Sequence, residues 1–197
     1  GVVLESLAHV KTIAFDKTGT ITEGRPRVRN VIAWDSVSRE ELLAVAHSLE
    51  SLSNHPLARA VTTYCDQHGV RPRPVSNLRA HPGRGISGEM SGHRFFVGGL
   101  RMVREQRNPD RALVETLERL EAEANTAIAV VHEAHADCSG QVLGVLAIGD
   151  AVRPHTAEAL AALRRLGISK IVMLSGDNWN VARAVARQIG IEQVEAE

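Results

Sequence analysis

The chemistry of this chain is concentrated around Asp16. It ends the apolar run TIAF at residues 12–15 and is followed by KTGTIT. Apolar runs of this length read as buried parallel strands, whose carboxyl ends are where α/β sheets place ligands. An aspartate held there can attack a phosphoryl group and form an aspartyl phosphate. The remaining task is positioning and charge neutralisation, by Mg2+ and by donors around the phosphoryl oxygens. Gly19 lets the backbone turn beneath a phosphate, and Thr18 and Thr20 supply hydroxyls. Without further signals the same residues also read as an ordinary turn after a strand, because Asp and Thr favour turns.

Other segments carry related chemistry. SGDN at 175–178 follows a second short apolar run, and Asp177 and Asn178 are also good helix N-caps. Asp150 precedes Arg153-Pro154. Glu50 lies five residues before His55, in a stretch ending SNHPLARA. By itself His-Pro is an ordinary helix start. Gly83, Gly85 and Gly88 form PGRGISG, and Gly98 follows in FVGG. This glycine pattern does not follow a strand and open a helix, so it is not a dinucleotide fingerprint. His132, His135 and Cys138 have a spacing compatible with zinc. They fall in HEAHADCSG, which reads as an exposed hairpin connection.

Taken in order, these motifs resemble the P-type ATPases, within the haloacid-dehalogenase-like fold. DKTGTIT at 16–22 resembles their phosphorylation motif. SGDN resembles their TGD motif with serine for threonine, and DAVRP at 150–154 resembles their hinge segment. SNHPLARA, Glu50 and the glycines resemble the nucleotide site of the heavy-metal pumps. The resemblance implies a catalytic set of Asp16, Lys17, Thr18, Ser175, Gly176 and Asp177. It implies that Glu50 and His55 contact adenine, that Gly83, Gly85, Gly88 and Gly98 admit the nucleotide closely, and that Asp16 and Thr18 hold Mg2+. The implied activity is transfer of the γ-phosphate of ATP to Asp16 to drive metal export.

The implied partners are ATP, the pump's own transmembrane and actuator domains, and a metal ion bound elsewhere in the full protein. The implied location is the cytoplasmic face of a membrane. The flanking text is more similar to zinc, cadmium or cobalt pumps than to copper pumps. The related phosphatases carry a second Asp two residues after the nucleophile, where this chain has Thr18. A phosphatase with a cap domain is therefore the alternative enzyme, and a nucleotide-binding module without turnover the alternative of another class. In the family a Lys and a GDG-x-ND motif follow the TGD segment, and neither occurs before Glu197. The sheet is thus expected to be incomplete, with Mg2+ held by the Asp16 region alone.

The elements that must position these residues follow from pattern. TEGRP at 22–26 reads as a hinge. Ser38 and Glu41 form a capping box, after which Leu42, Ala46 and Leu49 recur at helical spacing. Pro56 starts a second helix with Leu57, Val61 and Tyr64 on its apolar face. Residues 81–99 read as a hairpin turning at Ser91-Gly92. A helix follows with Leu113, Leu117, Leu120 and Ala124 on one face, then strands at 126–132 and 141–148. From Asp150 the pattern alternates: a helix near Pro154 with Leu160, Leu163 and Leu166, a strand at 170–174, and a helix marked by Val181, Val185 and Ile189.

The expectation is an α/β phosphorylation domain, parallel and discontinuous, over 1–27 and 149–197. It is interrupted by an α+β nucleotide-binding domain with an antiparallel sheet over 28–148. Composition agrees with this plan. Lys+Arg and Asp+Glu both number 23, so no charge excess draws nucleic acid. Hydrophobic residues reach 44%, enough for a core, yet no apolar run approaches the roughly 18 residues of a membrane span. Cys65 and Cys138 are far apart, so a reduced setting is expected rather than a disulfide.

Overall fold

The computed structural model describes residues 9–34, 37–106, 109–134 and 138–196. The chain divides into two compact units. One comprises Gly1–Arg25, Ala122–Ala124 and Asp150–Glu197, the other Pro26–Glu121 and Asn125–Gly149.

In the first unit, β1 (Thr12–Asp16), β8 (Lys170–Ser175) and β9 (Gln193–Ala196) form a parallel sheet in the order β1-β8-β9. Helices α5 (Thr156–Arg165) and α6 (Trp179–Ile189) accompany it. Asn178 caps α6 by accepting from the Val181 N–H, and Gly190 ends it in the left-handed conformation. Ala182, Val185, Ala186 and Ile189 close over Ile171 and Met173, with Leu160 and Ile21 completing the core. Leu166, expected on the apolar face of α5, is instead 80% exposed at its C-terminal end. β9 was not anticipated from sequence, because only four residues form it and they alternate without a strong apolar signal.

In the second unit, six antiparallel strands run in the order β2-β7-β6-β5-β4-β3. They are β2 (Arg27–Ala33), β3 (Ser76–His81), β4 (Gly85–Met90), β5 (His93–Gly98), β6 (Thr126–His132) and β7 (Gln141–Gly149). The central pair β6 and β7 is buried on both faces, hence their near-continuous apolar sequence. Ile128, Val130, Leu146 and Ile148 face α1 (Arg39–Glu50) and α2 (Pro56–Gln67). Ala127, Ala129, Val131, Val145 and Ala147 face α3 (Leu100–Arg104) and α4 (Arg111–Ala122). The Ser38 cap accepts from the Glu41 N–H at 3.1 Å, and Pro56 opens α2.

The hairpin turn falls at Ser91-Gly92, both at positive φ, with Met90 paired to His93. Ala124 departs from the expected α4 face. It lies beyond the helix at φ 63° and packs with the core of the first unit. Among the described residues no helix is long and apolar enough to cross a membrane.

Candidate phosphorylation and nucleotide sites

Asp16 ends β1, and its Cα pairs with that of Leu174 in β8, one residue before Ser175. The parallel register therefore brings DKTG and SGD to the same sheet edge. This is the carboxyl end, where α/β folds bind ligands. After Asp16 the chain turns through Lys17–Ile21, with Gly19 at φ 77° and no heavy atom within 4 Å of a Cβ there. Asp16 and Thr18 are exposed, whereas Lys17 is buried. The Lys17 ammonium pairs with the Asp177 carboxylate, whose side chain is 28% exposed. The Asp177 N–H in turn donates to Ser175 Oγ at 3.1 Å. Gly176 is exposed between them, with no heavy atom within 4 Å of a Cβ there.

A second set of contacts holds the turn from behind. The Asp150 carboxylate accepts from Thr22 Oγ1 at 2.5 Å and from the Gly24 and Arg25 N–H groups at 3.0 Å each. Thr22 is fully buried. Arg153 Nη2 donates to the Gly19 carbonyl at 2.9 Å, and Thr156 Oγ1 donates to the Ile21 carbonyl at 3.3 Å. Thr22 lies within the sequence motif, but its part as the anchor of the Asp16 loop was not legible there. Only its distance to Asp150 reveals it.

In the second unit, Glu50 ends α1 and is 9% exposed. Burial pushes its carboxyl up to about 7. His55 is exposed and caps α2, its Nδ1 accepting from the Leu57 N–H at 3.3 Å. That bond leaves the proton of a neutral ring on Nε2. Ser53 ties the two residues together: its N–H donates to the Glu50 carbonyl at 3.0 Å, and its Oγ accepts from the His55 N–H at 3.2 Å.

The glycines separate into two kinds. Gly83 turns at φ 68° with open space where a Cβ would stand. Gly85, Gly88 and Gly98 are close to the protein itself. A Cβ on Gly85 would lie 2.0 Å from the Val97 carbonyl oxygen. One on Gly98 would lie 2.6 Å from the Arg84 carbonyl oxygen. One on Gly88 would lie 2.9 Å from Leu49 Cδ2 and 2.6 Å from Val75 Cγ1. The close approach at these three is thus strand to strand and strand to α1, and it seats β4 beside the helix end that carries Glu50.

The zinc-like spacing at 132–138 has a different outcome. His135 lies outside the described residues. His132 and Cys138 are half-buried and stand beside His93, which β5–β6 pairing brings in from 39 residues away and no spacing reveals.

Residues 10–196 match the haloacid dehalogenase-like hydrolase family. A copper-exporting P-type ATPase of Vibrio cholerae is 38% identical over 196 residues, which is 99% of this chain and 20% of that protein. A cadmium-transporting ATPase of Alkalihalophilus pseudofirmus, so named as probable, is 33% identical over 202 residues, 100% of this chain and 27% of that protein. Among solved structures, a zinc-transporting PIB-type ATPase in its E2.Pi state superposes with a TM-score of 0.69 at 33% identity. That match covers 98% of this chain and 30% of the other. The chain thus spans about a fifth to a third of the relatives it resembles. On the match over nearly its whole length, it belongs to the haloacid dehalogenase-like hydrolase family.

Proposed function

We propose that this chain is the nucleotide-binding and phosphorylation segment of a heavy-metal P-type ATPase, lying on the cytoplasmic face of a membrane. The observation that carries the reading is the sheet edge where Asp16, Lys17 and Asp177 meet. An exposed carboxylate ends β1 there, and the ammonium of the next residue is buried and held by Asp177 at the same edge, an arrangement suited to a nucleophile whose electrophile is a phosphoryl group.

In the step proposed, a carboxylate oxygen of Asp16 attacks the γ-phosphorus of ATP. The bond from γ-phosphorus to the bridging oxygen breaks, and ADP leaves with that electron pair. Lys17 supplies positive charge near the phosphoryl oxygens while Asp177 fixes where its ammonium points. Ser175 and the Gly176 N–H offer donors at the same edge. The Asp16 carboxylate and Thr18 provide hard oxygen donors of the type Mg2+ accepts, in a site that leaves room for phosphate oxygens and water. When bound, the ion neutralises phosphate charge. Thr18 places no second carboxylate two residues after the nucleophile, which favours a phosphoenzyme that persists over rapid ester hydrolysis.

The adenine site of this reading is the Glu50–His55 turn. The buried carboxylate accepts from the exocyclic amine, and the exposed ring of His55 stacks on the purine. The relatives bear the names of copper, silver and cadmium pumps. The cargo proposed here is accordingly a heavy-metal cation, bound outside this segment and carried outward by the parent pump.

Two measurements test the proposal. In the full-length pump that contains this segment, γ-labelled ATP should give an acid-stable phosphoenzyme that Asp16→Asn abolishes. In the 197-residue chain, Glu50→Ala and His55→Ala should each weaken ATP binding by about tenfold, the loss of one hydrogen bond or stacking contact. Labelling that survives Asp16→Asn would overturn the phosphorylation site. Unchanged affinity in both nucleotide variants would overturn the adenine site.

A further inference from the structure

We infer that His93, His132 and Cys138 form a metal site for a borderline-soft ion, Zn2+ above all, on the second unit at the end of β5 opposite Gly98. One donor atom from each lies within 4.8 Å of the others. His93 Nδ1 is 3.1 Å from His132 Nε2, and that same nitrogen is 3.9 Å from Cys138 Sγ. Zinc bonds of about 2.0–2.1 Å to nitrogen and 2.3 Å to sulfur at tetrahedral angles require separations of about 3.3 Å and 3.6 Å. The two pairs that include His132 Nε2 are within tenths of an ångström of these separations, and the His93 and Cys138 donor atoms lie within 4.8 Å of each other. Two imidazoles and a thiolate select zinc or copper(I) over magnesium or calcium. The fourth zinc position is left to water or an added ligand.

The fold organises the cluster in advance. β5 and β6 are paired with Phe95 opposite His132, which brings His93 to the same sheet end. Phe95 stacks on the His132 ring, with centroids 4.9 Å apart at 29°. On the connection between β6 and β7, Gly140 packs so closely that a Cβ would lie 2.9 Å from the His132 carbonyl oxygen and 2.6 Å from the Ala134 nitrogen. This holds Gly140, two residues beyond Cys138, against the end of β6. Gly98, at the other end of β5, is about 17 Å from His93 at 3.3–3.4 Å per residue, so the cluster does not share the glycine-rich end of the strand.

Binding replaces the thiol proton by the metal: Cys138–SH and Zn2+ give the thiolate complex and H+, which passes to solvent. Cys65 is an internal control. It is fully buried in the core, and burial, then the charge of Asp66, push its thiol up to about 12.

The test uses the 197-residue chain without affinity-tag histidines, titrated with Zn2+ against a chromogenic chelator. A single site per chain is expected, weakened at least about tenfold in Cys138→Ser and in His93→Gln. Co2+ should show a thiolate-to-metal charge-transfer band that Cys138→Ser removes. Zn2+ should slow alkylation of Cys138 in the native chain, a readout that needs no variant to fold. Absence of stoichiometric binding, a cobalt complex without the thiolate band, or alkylation unaffected by Zn2+ would each overturn the site.

Discussion

Asp150 accepts a 2.5 Å hydrogen bond from Thr22 Oγ1, although the two residues are 128 positions apart. The same carboxylate takes the Gly24 and Arg25 N–H groups. These bonds close the Asp16 loop onto the point where the chain returns from the second unit. Three donors on one carboxylate, one of them from a fully buried threonine, make this the main polar anchor of the Asp16 turn. Asp150→Ala leaves Thr22 and two backbone donors with weaker partners. The expected loss is about 1–3 kcal/mol in urea denaturation of the first unit. Asp150→Asn keeps an acceptor oxygen and should fall between. Equal stability of Asp150→Ala and the parent chain would show that solvent replaces the anchor at no cost.

Lys17 and Asp177 pose a related problem with charge. Lys17 is only 8% exposed along its side chain. Removing its carboxylate partner leaves a buried ammonium uncompensated, which in a dry interior costs 3–5 kcal/mol. Asp177 is partly solvated, so the expected cost of Asp177→Ala is about 2 kcal/mol. Replacing both, as Lys17→Met with Asp177→Leu, should recover part of that loss. A double-mutant cycle by chemical denaturation reads both numbers. If the double variant were no more stable than Asp177→Ala, the pair would not be limited by desolvation.

These contacts also show what a one-dimensional reading can reach. β1, the Ser38 cap, Pro56 and the Ser91-Gly92 turn were legible because their causes are local: an apolar run, a cap, a fixed φ, a turn dipeptide. The two edge strands of the antiparallel sheet were not. β2 begins directly after the hinge-like TEGRP at 22–26, and a bulge between Val28 and Asn30 interrupts its alternation. β3 is almost wholly exposed, so it has no apolar signature. Asp16 and the SGD segment stand out by motif, and the parallel pairing of β1 with β8 brings them to one sheet edge. The meeting of Lys17 with Asp177, and of His93 with His132, depends on strand pairing between distant segments and has no sequence spacing to betray it.

The glycines allow packing and ligand approach to be told apart. At Gly85, φ is 144° and an added Cβ would lie 2.0 Å from a backbone oxygen. Neither the backbone nor the space tolerates alanine there. Gly85→Ala should cost at least about 3 kcal/mol and lower the melting temperature sharply. Gly83→Ala meets nothing and carries only the left-handed penalty, about 1–2 kcal/mol. If the nucleotide lies over this turn, Gly83→Ala should retain the fold and lose ATP affinity. Calorimetric titration with ATP beside a thermal melt separates the two effects. A Gly83→Ala chain with full affinity would confine the role of the glycine turn to folding.

In the proposed adenine site, the raised pKa of Glu50 makes both stability and nucleotide affinity depend on one proton. The folded carboxyl holds its proton up to about pH 7, whereas an unfolded glutamate releases it near 4.5. Between these values the folded chain binds more protons than the unfolded one, so the contribution of Glu50 to stability falls as pH rises. The loss is complete above the folded value and amounts to about 3 kcal/mol. Glu50→Gln has no such proton, and its stability relative to the parent chain should rise from pH 4.5 to pH 7 by that order. A donor from adenine favours the ionised carboxylate and lowers its pKa in the complex. ATP affinity should therefore increase as pH rises toward 7, with proton release measurable by calorimetry in buffers of different ionisation enthalpy. The pH dependence attributable to this group should vanish in Glu50→Gln. If the variant released the same protons on binding ATP, the buried carboxylate would not be the adenine acceptor, and the 6-amino group would have to be sought against another acceptor of the second unit.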